Sequence, residues 1–74
     1  MKKGDKVIIK DNLDYHMKRL GYDNKLINDF VNRFVGTKQT VYDIWKDDNE
    51  TYVTIDMCVE IPIECCEVIK EHTV

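Results

Sequence analysis

Residues 51–69 read TYVTIDMCVEIPIECCEVI. Thr51, Val53 and Ile55 share one side of an extended chain, and the alternation predicts a strand over 51–56 with Val53 and Ile55 on the core face. Asp56-Met57 is a turn, and residues 58–61 are a second short strand. Residues 62–65 form a proline-marked corner of 3₁₀ type, and 66–69 are a final apolar strand. Strands this short, joined by turns this tight, bury a face by curling over one another. The stretch therefore predicts a small β-barrel.

Upstream, residues 47–50 (DDNE) are a polar hairpin turn. They follow a strand over 38–46 (KQTVYDIWK) with Val41 facing in. Ile44 is out of phase with Val41, and a β-bulge near Tyr42-Asp43 would restore the register. Over 13–35 the rhythm changes from two to about 3.6 residues. Asp14 is placed to cap a short helix bearing Tyr15, Met17 and Leu20, with Gly21 as its C-terminal stop. Asp23 or Asn24 caps a second helix, whose Leu26, Ile27, Phe30, Val31 and Phe34 form one apolar stripe. The outer side of the barrel, including Ile8, is the expected floor for that stripe. Gly4-Asp5 opens a first strand over 6–10 (KVIIK), where Val7 and Ile9 share a face and Ile8 needs separate cover. Residues 70–74 read as a frayed tail.

Seventy-four residues make one domain, 1–74, with a modest core. Alanine and serine are both absent, and Lys, Asn, Ile and Asp are abundant. This suits an AT-rich coding sequence of bacterial or phage type. It also removes any serine nucleophile. The net charge of −3 is uneven: residues 1–38 hold nine Lys/Arg against five Asp/Glu, and residues 39–74 hold two against nine. No run of five like charges occurs, so the simplest expectation is that the two halves mix on the surface.

Three cysteines, Cys58, Cys65 and Cys66, are an odd count with two adjacent. Neighbouring cysteines pair only with strain. With no secretory apolar stretch ahead of the first strand and no run long enough to span a bilayer, reduced thiols in the cytoplasm are expected, one of them in the core and Cys65 exposed and oxidisable. Cys58, Cys65, Cys66 and His72 lack zinc-site spacing. His16 has no signature partner around the thiols, and the 47–50 turn is too short for a calcium loop. No catalytic residue, metal or cofactor is expected, and the chain reads as a binding protein rather than an enzyme.

Trp45 stands at a strand end beside Tyr42, with Tyr52 its expected neighbour across the hairpin. Exposed aromatics there would anchor a peptide or stack on a base. In the competing reading, Trp45 closes one end of the barrel or packs on the insert. Tyr22, Tyr42, Trp45 and Tyr52 are the candidate contacts for a protein partner. The alternative partner is nucleic acid, on a basic face built from Lys6, Lys10, Lys18, Arg19 and Lys38. That reading sits against an acidic overall balance. No membrane partner is expected. An edge strand or the insert's apolar stripe leaves a homodimer open.

The order of strand, helical insert, three strands, short turn and strand resembles the SH3-like barrel, over roughly residues 4–69. The resemblance is carried by GDKVIIK (4–10), VGTKQTVYDIW (35–45) and VEIPIECCEVI (59–69). These follow the "G-D-x-V", "G-x-x-x-x-V" and "I-P-x-x-x-L-E-x-V" cadence of small KOW-like and ribosomal-type SH3-like domains. Cys66 falls where that pattern puts a buried leucine. The resemblance implies a five-stranded barrel with a one- or two-helix insert, about 13–35, between strands 1 and 2. The peptide-binding SH3 signature of "ALYDY" type is absent, so no binding residue is carried over. Such barrels serve in peptide binding, nucleic-acid binding and scaffolding, so the resemblance implies a fold and not an activity.

Overall fold

A computed structural model describes residues 1–56 and 59–69. In chain order the elements are β1 (Lys6–Ile9), α1 (Leu13–Arg19), α2 (Asn24–Phe34), β2 (Lys38–Thr40), β3 (Asp43–Lys46), β4 (Thr51–Thr54) and β5 (Glu60–Pro62). A 3₁₀ turn (Ile63–Cys65) and β6 (Cys66–Val68) complete the order. Cys58 and Met57, and the tail expected over 70–74 with His72, lie outside the described residues.

The five-stranded SH3-like barrel is not what forms. The described residues make two antiparallel sheets of three strands each, ordered β2-β1-β6 and β3-β4-β5, with two helices beside them. The fold is a small mixed α/β domain without a closed barrel. The physical reason lies at Val41-Tyr42. The bulge expected there is a complete change of sheet. The Val41 N–H donates to the Asp5 carbonyl at 2.9 Å, ahead of β1, whereas the next N–H, from Tyr42, donates to Thr54 of β4 at 2.8 Å. One expected strand thus becomes β2 and β3, each committed to a different ladder. Val41 itself is buried at the crossover.

The apolar positions explain why the sheets meet. Val7 and Ile9 of β1, Val53 of β4, Ile61 of β5, and Ile55 just beyond β4 are all buried. They join Leu13, Met17, Ile27, Phe34, Val41, Cys65 and Cys66 in one cluster. Burying each large aliphatic chain stabilises by about 1.5–3 kcal/mol, so no single element of this short chain is dispensable. Ile8, on the opposite face of β1, is half-buried.

Local chemistry sets the helix ends. α1 begins at Asn12, not Asp14: Asp14 sits inside the first turn, where its carboxylate accepts from the Tyr15 N–H at 2.7 Å. α1 stops at Gly21, whose φ of 92° suits a residue without Cβ. The Gly21 N–H donates to Lys18 and the Tyr22 N–H to Met17, both at 3.1 Å, the two bonds of a Schellman stop. α2 is capped by Asp23, whose carboxylate accepts from the Leu26 N–H at 2.8 Å. Its stripe packs chiefly on α1, not on the outer face of a barrel, while α1 packs against β5 and the 3₁₀ turn. No helix among the described residues is long and apolar enough to cross a membrane.

Candidate binding surface

The hairpin of β3 and β4 puts Trp45 directly opposite Tyr52, and β5 continues that row with Pro62. Ile44, Val53 and Ile61 form the next row, on the opposite face, and pack inward. On the aromatic row's own face Pro62 is fully buried and Tyr52 half-buried, so exposure rises toward Trp45 at the β3 edge. The Trp45 and Tyr52 rings stack with centroids 4.6 Å apart and planes 20° from parallel. Such a pair holds both rings in one orientation. Trp45 is nevertheless 36% exposed. It stands on β3, which is an edge strand of its sheet among the described residues.

Tyr22 directly follows the Schellman stop of α1 and lies near enough to Tyr52 to act on its hydroxyl. It is 41% exposed. The Tyr52 hydroxyl is pushed above the ordinary tyrosine range, first by loss of hydration, then by the nearby Tyr22, Glu50 and Asp47, with Arg19 acting in the opposite sense. These side chains therefore share one neighbourhood. Tyr42 is different. It lies outside the strands, is 55% exposed, and joins no ring pair among the described residues.

An ion pair ties α1 to this hairpin. Arg19, the last residue of α1, donates from both guanidinium nitrogens to the two carboxylate oxygens of Glu50, and its second nitrogen lies 3.1 Å from His16 Nδ1. The bond to Glu50 raises the Arg19 pKa and holds the Glu50 carboxyl below the usual carboxylate range. The hairpin tip closes through mutual backbone bonds between Asp47 and Glu50.

Sequence reasoning missed the acidic frame around the aromatic row. Asp43 is opposite Thr54, which is opposite Glu60, so two carboxylates flank the row on one side. Asp47 and Glu50 flank it at the hairpin tip. The signal was present in the spacing of Asp43, Trp45 and Asp47, each two residues apart and hence on one face of an extended chain.

The basic candidates do not gather. Lys6 and Lys38 share the outer face of the first sheet, since Lys6 is opposite Thr40 and Ile8 is opposite both Lys38 and Glu67. There Lys6 Nζ donates to the Thr40 hydroxyl. Lys10 is half-buried beyond β1, near the cysteine corner. Lys18 and Arg19 belong to α1, and Arg19 is engaged by Glu50.

Both thiols at the corner are buried, which corrects the expectation of an exposed Cys65. Burial pushes the Cys65 thiol up to about 12 and the Cys66 thiol up to about 11. Neither is poised as a nucleophile. Among the described residues no group of three His, Cys, Asp or Glu is placed to share a metal ion. Comparison with protein-family models, curated proteins and solved structures found no match to this chain. The functional reading therefore rests on this surface alone.

Proposed function

We propose that the chain is a non-catalytic protein-interaction module of the cytoplasm, and that it engages its partner with the outer face of the β3-β4-β5 sheet. One observation carries the reading: an exposed tryptophan stacked on a half-buried tyrosine, with a second, exposed tyrosine near them, none of the three in the buried cluster. Tryptophan and tyrosine dominate binding hot spots because they offer large area at small entropic cost. The nucleic-acid reading has weaker support: Lys6 and Lys38 face outward beside Glu67, and the remaining candidates lie on other elements.

The test is capture from native bacterial lysate with tagged wild type and Trp45→Ala, each with and without nuclease. The reading expects a specific protein that survives nuclease and disappears with Trp45→Ala. A capture that collapses with nuclease and is indifferent to Trp45→Ala contradicts it and moves the first sheet's lysines to the front.

A further inference from the structure

We infer that the partner presents a basic segment, with an arginine or lysine side chain seated against Trp45, so that the stacked aromatics and their carboxylate frame form a receptor for a cation. This deepens the proposed interaction role and rests on it. The geometry is the sheet register. The row Trp45–Tyr52–Pro62 is buried at Pro62, half-buried at Tyr52 and exposed at Trp45; the row Asp43–Thr54–Glu60 lies two residues to one side, and the Asp47–Glu50 turn lies to the other. A side chain laid against exposed Trp45 has Asp43 two residues to one side and Asp47 two residues to the other, both exposed.

The ring faces have the same preference. Aromatic faces carry negative quadrupole charge and attract a guanidinium or ammonium group. One face of Trp45 is taken by Tyr52; on the other side β3 is the sheet edge, with no strand beyond it among the described residues. A planar guanidinium suits that position better than an ammonium, because it stacks and donates sideways at once.

The protein already shows how this surface is satisfied. Lys3 pairs with Asp43 at 3.5 Å, and Arg19 pairs with Glu50. Both cations come from the basic first half of the chain, and both carboxylates from the acidic second half. Glu60 and Asp47 have no ion pair among the described residues. Among the described residues the aromatic face thus keeps a carboxylate without an ion pair on each flank, Glu60 and Asp47, which is the complement of a basic segment and opposes an anionic one.

Trp45 is the only tryptophan, so its fluorescence reports this position alone. The full chain is titrated with a hexa-arginine peptide, with a hexa-glutamate peptide, and with a single-stranded oligonucleotide. Calorimetry follows Trp45→Leu and the double change Asp43→Asn/Glu60→Gln, both surface substitutions away from the buried cluster. The expected result is a saturable change in Trp45 emission with hexa-arginine only. Affinity should weaken about threefold to thirtyfold in Trp45→Leu, and also in the carboxylate pair. Raising the salt should weaken it further. Hexa-arginine affinity that survives Trp45→Leu unchanged, or no response to hexa-arginine at all, overturns the inference. If Trp45-dependent protein capture persists in that case, the interaction role stands and only the partner's chemistry is wrong. Saturation of Trp45 by the oligonucleotide overturns both.

Discussion

The two sheets have the same strand count and the same antiparallel pairing, and both give their inner faces to one core, yet their outer faces differ in kind. The outer face of β2-β1-β6 carries Lys6, Lys38, Thr40 and Glu67 around a half-buried Ile8. Lysines and a glutamate share that face, and no aromatic ring stands on it among the described residues. Such a face needs only to be wetted. The outer face of β3-β4-β5 carries a stacked tryptophan and tyrosine between carboxylates, with a further tyrosine delivered by the end of α1. Common packing needs explain the inner faces. They explain the buried Pro62 end of the second outer face but not its exposed Trp45 edge, where we propose that the partner binds.

The inner faces of the two sheets should carry equal weight in the core. Ile9→Ala and Ile61→Ala remove fully buried side chains from the first and second sheets. Each should cost about 2–5 kcal/mol, read as a fall in the urea midpoint. A loss under about 1 kcal/mol for Ile61→Ala would mean that the second sheet is not part of the shared core.

Trp45→Ala sharpens the comparison from the other side. Its ring leaves a surface stack and not a core, so stability should fall by only about 0.5–1.5 kcal/mol while partner capture is lost. A loss on the scale of the isoleucine variants would mark Trp45 as structural.

The cysteine corner, which joins the sheets, gives a pH test. The folded state holds the Cys65 proton up to about 12 against an ordinary 9.0. Folding stability is therefore full below pH 9.0 and declines as pH rises toward 12. In a Cys58→Ser background, a thiol reagent at neutral pH should label neither Cys65 nor Cys66 until the chain is unfolded. Rapid labelling of the native protein would contradict their burial.

The smallest effect belongs to the Arg19–Glu50 tie. Glu50 has its carboxyl held below 4.5, so the stability it lends is present above that pH and is lost as pH falls through the lowered value. Glu50→Gln should remove this acid-side slope and lower stability slightly at neutral pH, where the pair is intact but only partly screened, the Arg19 and Glu50 side chains being 35% and 17% exposed. An unaltered acid transition would show that the tie does not hold α1 to the hairpin.

Much of the element order was legible because local chemistry decides it. Gly21 and Asp23 end and begin helices through bonds to residues a few positions away, and the alternation of Val53 and Ile55 marks β4. The pairing of Trp45 with Tyr52 followed from the short DDNE turn between them. The sheet change at Val41-Tyr42 was visible only as a broken period. Whether such a break is a bulge or a crossover depends on partners at Asp5 and Thr54, which the local sequence does not contain. Cys65 was misplaced for a related reason: alternation puts adjacent residues on opposite faces, but the 3₁₀ turn ending at Cys65 rotates both thiols inward. The tie from Arg19 to Glu50 joins residues 31 positions apart and has no sequence signature.

The most direct measurement of the central claim is a map of amide and indole NMR shifts on the full chain as hexa-arginine is added. The account expects the largest changes at the Trp45 indole and at Asp43, Tyr52 and Glu60, with Lys6, Ile8 and Lys38 unmoved. Shifts concentrated on the β2-β1-β6 face, with Trp45 silent, would contradict it.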